Sequence, residues 1–121
     1  MAALSTATVE RGAVSAGDVI DRTHLARMTL GDKRLEREVL ELFDRQSELL
    51  LARMNDAPAT GIVTLAHTLK GSARGIGAWR VAQAAEATEE TARLDPKRVC
   101  IALARLAAAI GETRTAISAL L

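Results

Sequence analysis

The chain has few aromatic side chains and few prolines. Its 121 residues include no tyrosine, two prolines and only two aromatic residues, Phe43 and Trp79. Nearly half of the residues are nevertheless apolar, so alanine and leucine must build the interior, which suits closely approaching helices. A chain of this length is expected to fold as one domain with a modest core.

The scarcity of cysteine and the balance of charge exclude several classes of protein. Cys100 is the single cysteine, so it cannot form an internal disulfide, and we expect it to be a small core or boundary residue. The formal net charge of +1 leaves no electrostatic surface for a nucleic acid. No stretch approaches the ~20 apolar residues that cross a bilayer, and no export signal is evident. We therefore expect a cytoplasmic monomer that binds neither nucleic acid nor membrane.

The pattern of apolar residues is helical along most of the chain. Residues 1–17 are rich in alanine, serine, threonine and glycine and are predicted to be a flexible leader, whereas 18–121 are predicted to form a single domain. No window shows the alternation of a half-buried strand. The predicted helices cover about residues 21–28, 33–54, 59–75, 79–93 and 99–120.

Caps and turns mark the helix boundaries. Asp32 is a candidate N-cap for the second helix, and Asp56, followed by Pro58, is a candidate cap for the third. Gly75 and Gly77 mark the end of the third helix. Apolar or core-facing residues of the second helix are predicted at spacings of mostly three and four: Leu35, Val39, Leu42, Phe43, Gln46, Leu49, Leu50 and Met54.

Four substantial helices joined by short connections predict an all-α fold. The arrangement that fits them best is an antiparallel up-down four-helix bundle with a short additional N-terminal helix at one end.

The third predicted helix has two different faces. One face is an apolar stripe formed by Ile62, Leu65, Ala66, Leu69, Ala73 and Ile76. The other carries His67, Lys70, Gly71 and Arg74. An imidazole outside the stripe is open to solvent and can act as a nucleophile, and the two cations provide charge for phosphate. Gly71, one turn after His67, leaves no side chain to obstruct a partner.

The run His67-Thr68-Leu69-Lys70-Gly71-Ser72, followed by Gly77, resembles the signature of histidine-containing phosphotransfer (HPt) domains. The preceding segments Gly31–Leu35 and Leu40–Gln46 are similar to the long helix before the motif helix in that family. Together these resemblances cover about residues 22–94. The additional glycine at Gly75 departs from the family pattern.

The resemblance implies a small helical bundle that relays phosphoryl groups between receiver-domain aspartates in bacterial multistep phosphorelays. It implies that His67 is the phosphoryl acceptor, that Lys70 stabilises the phosphate, and that Gly71 and Arg74 form a receiver-docking face. In that family the distal nitrogen carries the phosphate, and the sequence leaves open which ring nitrogen of His67 does so. The implied partners are response-regulator receiver domains and a histidine kinase or hybrid kinase. No cofactor or metal is expected in this chain, because the family's Mg²⁺ belongs to the receiver. The chain has no room for an ATP-binding domain, so no autonomous kinase activity is expected.

Several interpretations stay open from the sequence. His24 lacks phosphate-binding neighbours in sequence and is expected to be an ordinary surface residue. One residue among Gln83, Glu86 and Glu89 is a candidate to orient the ring of His67. The need for a small residue at Gly71 could arise from partner docking or from a neighbouring helix.

Two other functions compete with phosphotransfer. The chain could be a helical-bundle adaptor that binds a receiver or kinase without carrying phosphate, although an intact histidine argues against this. It could also be a small hydrolase with His67 as general base, but no convincing nucleophile or orienting third group accompanies the histidine. The glycines of residues 71–77 do not form a nucleotide-binding loop, because no strand precedes them.

Overall fold

The computed structural model describes residues 19–121, and this part of the chain is helical. Its helices are α1 (Arg22–Met28), α2 (Lys33–Asn55), α3 (Ala59–Ile76), α4 (Trp79–Leu94) and α5 (Val99–Leu120), with a short 3₁₀ turn at Pro96–Arg98. No strand occurs in residues 19–121, which confirms the all-α prediction. The predicted leader, residues 1–17, lies outside the described residues.

The two predicted N-caps have different outcomes. Asp32 caps α2 as expected, because its carboxylate accepts a hydrogen bond from the backbone N–H of Leu35 at 3.0 Å. The prediction for Asp56 is wrong. Pro58, in an extended conformation, occupies the N-cap position of α3, and Asp56 instead ends α2, where its N–H donates to the carbonyl of Arg53.

The end of α3 is determined by Gly77. The helix continues through Gly75 to Ile76, and Gly77 follows with a left-handed backbone at φ +79°. This conformation lets the N–H of Ala78 bond to the carbonyl of Ala73 at 2.9 Å, which closes the helix end. The extra glycine at Gly75 therefore does not shorten the helix.

The core is built from small and branched apolar side chains. The apolar stripe predicted for α3 is confirmed, since five of its six residues are buried and Leu65 is partly buried. On α4 the buried residues include Ala82, Ala85 and Ala92, as predicted. These alanines let α3 and α4 approach closely, and the contact between α3 and α4 is the most extensive of the helix contacts.

Two expectations about burial are wrong. Leu35, Leu42 and Leu49 are 39%, 57% and 58% exposed, because they repeat every seven residues along one line beside the buried stripe of α2. That stripe consists instead of Glu36, Leu40, Phe43, Ser47, Leu50 and Met54. Cys100 is exposed, because it lies on the outer side of the first turn of α5.

The long helices are held together by packing and by ion pairs between their side chains. α3 packs against α1, α2 and α4, and α2 also packs against α5. Between α2 and α5, Nε of Arg114 lies 2.8 Å from Oδ1 of Asp44, and its Nη1 lies 3.1 Å from Oε2 of Glu48. The hydrogen bond with Asp44 is the main cause of a raised pKa of Arg114. In the described part of the chain, no helix is both long enough and apolar enough to span a bilayer.

The short helix α1 is anchored on the end of α3, and His24 takes part in this contact. Its Nε2 lies 2.9 Å from the carbonyl oxygen of Arg74, and its ring centroid lies 5.0 Å from that of Trp79. His24 is thus partly buried and is not an ordinary surface residue. Its ring provides a hydrogen-bond donor to one of the last carbonyls of α3, which have no partner within the helix. The indole N–H of Trp79 donates to Asp21, whose pKa is lowered mainly by the backbone N–H of His24.

Candidate functional site

His67 lies on the exposed side of α3. Its side chain is 67% exposed, because the buried face of α3, which includes Ala66 and Leu69, lies on the other side of the helix. Only one ring nitrogen is engaged in the described structure: Nδ1 lies 3.1 Å from Oε2 of Glu89 on α4. The rest of the ring, including Nε2, is accessible.

Glu89 joins α3 to α4 at this point. Its side chain is only 11% exposed, and three side chains contact its carboxylate. Nζ of Lys70 donates to Oε1 at 3.0 Å, whereas Nη2 of Arg93 donates to Oε2 at 2.9 Å, the same oxygen that contacts His67. Each oxygen of this mostly buried carboxylate therefore has a polar partner, which offsets the cost of burying its charge.

The charge of Glu89 determines the tautomer of His67. The hydrogen bond from Lys70 holds the pKa of Glu89 below its usual range, the hydrogen bond with His67 adds to this effect, and burial opposes it. Glu89 is therefore a carboxylate at neutral pH and can only accept hydrogen bonds. Consequently Nδ1 of a neutral His67 carries the proton, and Nε2 presents its lone pair to solvent.

Of the three residues considered for orienting His67, the structure brings only Glu89 to the ring. Glu86, one turn earlier on α4, lies 3.5 Å from Nη2 of Arg74 instead. Gln83 lies in a groove between α4 and α5, where it faces away from α3. Glu89 contacts His67 because the rotation of α4 about its axis directs this side chain toward α3.

The structure places the other predicted site residues around His67 in different environments. Lys70 is 14% exposed and is held against Glu89, so it is less open to solvent than the pattern suggested. Arg74 is 54% exposed. A Cβ atom added to Gly71 would meet no atom within 4 Å. The packing explanation for Gly71 is therefore not supported, because no neighbouring helix requires a small residue there.

The comparison with known families bears on this arrangement. The family model of the Hpt domain matches residues 34–120, which covers α2 from its second residue and all of α3, α4 and α5. This chain belongs to the Hpt domain family. Membership implies histidine phosphotransfer in phosphorelays, in which Hpt domains interact with receiver domains and kinases. Neither a curated protein nor a solved structure matches the chain.

Sequence reasoning missed one residue at the centre of this Hpt domain's site. Arg93 was given no role from the sequence, yet its guanidinium contacts Glu89. The spacing of four residues between Glu89 and Arg93 was a usable signal, because such pairs are neighbours on a helix surface.

The Hpt domain offers no evident metal site in the part that the structure describes. Within residues 19–121, no group of three or more histidine, cysteine, aspartate or glutamate side chains could hold a metal ion. The polar atoms around His67 are instead one carboxylate and several cationic groups, a set suited to an anion.

Proposed function

We propose that this Hpt domain accepts a phosphoryl group at Nε2 of His67 from a receiver-domain aspartate and returns it to another. The observation that supports this most directly is the contact between Nδ1 of His67 and the carboxylate of Glu89. That contact favours the proton on Nδ1, which supports the exposed Nε2 as the nucleophile.

The transfer of the phosphoryl group forms one bond, breaks one bond and consumes no further reactant. The lone pair on Nε2 forms the new N–P bond, while the O–P bond of the aspartyl phosphate breaks and its electron pair remains on the departing carboxylate. The ring gains positive charge and keeps its proton on Nδ1. Glu89 stabilises that charge as it develops, because its carboxylate lies at hydrogen-bond distance. The reverse step uses the same atoms.

The other predicted residues have roles in this proposal. Lys70 lies one turn from His67 and contributes positive charge that stabilises the phosphoryl group. Gly71 and Arg74 form the docking face for the receiver, and the exposed Gly71 allows close approach. Mg²⁺ belongs to the receiver partner. The proposal also retains the up-down order of the four long helices, a monomeric state and a cytoplasmic location as predictions from the sequence.

The function can be tested by incubating the purified chain with a panel of labelled, phosphorylated receiver domains. We expect transfer of label to this chain, and the label should be labile to acid and stable to base, as a phosphoramidate is. The same protein should then pass label to a second receiver. Binding of receivers without transfer to any of them would favour the adaptor alternative and contradict the proposal.

Glu89→Gln tests the orienting contact. Glutamine retains the size and a carbonyl acceptor but removes the charge that stabilises the ring, so we expect phosphotransfer to slow by roughly 10–100-fold. The ¹⁵N signals of His67 should also show a smaller fraction of the Nδ1–H tautomer. The matched control is Glu90→Gln, which changes an exposed neighbour with no resolved contact to His67. If both variants transfer at the wild-type rate, Glu89 has no orienting role.

Gly71→Gln separates access from stability. An exposed glycine within a helix is unfavourable by up to about 1 kcal/mol, so glutamine should raise the free energy of unfolding. Phosphotransfer should nevertheless slow strongly, because the new side chain occupies the approach to His67. Gly111→Gln is the control, since Gly111 is also exposed with open space around it but lies on α5. A Gly71→Gln protein that is less stable but transfers normally would exclude a docking role.

A further inference from the structure

Three side chains contact the carboxylate of Glu89, and they do not all contact the same oxygen. Arg93 and His67 contact the same oxygen, Oε2, so a guanidinium nitrogen and Nδ1 lie within two hydrogen-bond lengths of each other. Lys70 is bound to the other oxygen, Oε1. The carboxylate thus holds the guanidinium of Arg93 near the Nδ1 side of the imidazole that is to be phosphorylated.

The two cations also differ in freedom. The side chain of Lys70 is 14% exposed, whereas that of Arg93 is 54% exposed. The only contact that the described residues provide to the guanidinium of Arg93 is the one with Glu89, so most of its five N–H donors have no protein partner. The side chain of Arg93 can therefore move toward solvent while Lys70 stays bound to Oε1 of Glu89.

We propose that Arg93 contacts the phosphoryl oxygens of phosphorylated His67, and that Lys70 acts from a fixed position on Glu89. This inference rests on the proposed function, and it assigns Arg93 a direct part in the reaction. A guanidinium binds phosphate oxygens through paired N–H groups, whereas an ammonium acts as a point charge. Phosphorylation adds negative charge near Arg93. Attraction to this charge draws the guanidinium away from Oε2 of Glu89.

Charge balance around His67 supports this exchange. Before phosphorylation the surroundings comprise the cations Lys70 and Arg93 and the anion Glu89, while Arg74 is paired with Glu86. If Arg93 moves to the phosphoryl group, Glu89 still has Lys70 on Oε1 and the Nδ1–H of the ring on Oε2. No carboxylate oxygen is left without a partner.

The experiment uses the full chain phosphorylated with phosphoramidate, a small-molecule donor to imidazole, and follows the phosphohistidine by ³¹P NMR from mildly acidic to mildly alkaline pH. The signal of His67 is identified by its absence in His67→Gln. A bound cation favours the doubly charged phosphoryl group and lowers its pKa. Arg93→Gln should therefore raise that pKa by about one unit. Arg93→Lys should restore part of the shift.

Two comparisons make the result specific. Arg80→Gln removes another partly exposed arginine of α4, one that pairs with Glu112, and should leave the titration unchanged. Lys70→Gln should raise the phosphoryl pKa less than Arg93→Gln does. The inference is overturned if phosphohistidine forms and Arg93→Gln titrates like wild type, or if Lys70→Gln gives the larger shift. Failure of His67 to become phosphorylated would instead contradict the proposed function.

Discussion

His67→Gln should accept no phosphoryl group from any receiver that labels the wild-type chain. Glutamine retains a polar side chain that can still donate a hydrogen bond to Glu89, but its amide nitrogen has no available lone pair and cannot form the N–P bond. The fold should be preserved, because the side chain is 67% exposed and substitutions at such positions usually change the free energy of unfolding by less than about 0.5 kcal/mol. Label transfer and thermal unfolding, measured on the same preparation, separate the two effects.

The control is the other histidine. His24→Gln should be labelled at His67 like wild type, because His24 bonds to the end of α3 and not to the reactive ring. Glutamine can also donate to the carbonyl of Arg74, so part of that contact should survive. Acid-labile label retained in His67→Gln, at a level near that of wild type, would show that the phosphoryl acceptor has been assigned to the wrong residue.

The motif helix could be predicted from the sequence because its two faces differ in composition. Apolar residues at helical spacing identified the buried side of α3. His67, Lys70 and Arg74, which have the same helical spacing, identified the opposite side. The same reasoning failed on α2, where leucines occupy a second line beside the buried stripe. Spacing alone cannot decide which of two apolar lines a neighbouring helix covers, since that depends on tertiary packing.

The candidate acceptor histidine could be identified from the sequence, whereas its surroundings could be predicted only in part. His67 and Lys70 are close in sequence, and the helix period brings them together. Glu89 is 22 residues from His67, and selecting it over Glu86 requires the rotation of α4 about its axis. The contact of His24 with Arg74 spans 50 residues and leaves no local pattern in the sequence.

Gly77→Ala should destabilise the domain more than Gly71→Gln or Gly111→Gln. Two costs combine at this position. The backbone has φ +79°, which a residue with a Cβ adopts at a cost of roughly 1–2 kcal/mol. The new Cβ would also lie 2.8 Å from Cβ of Asp21 and 3.0 Å from its carbonyl oxygen, so α1 would have to shift. Overpacking of this kind costs about 1–3 kcal/mol.

We therefore expect a loss of roughly 2–5 kcal/mol in the free energy of unfolding and a fall in Tm on the order of 10–20 °C. Gly111→Ala is the matched control, because a Cβ there meets no atom within 4 Å and its helix favours alanine over glycine. That variant should be as stable as wild type or up to about 1 kcal/mol more stable. Equal stability of Gly77→Ala and wild type in chemical denaturation would mean that α1 does not depend on Gly77. The hydrogen bond from Asp21 N–H to the carbonyl of Gly77, at 3.0 Å, argues for that dependence, because it is lost when the two backbones separate.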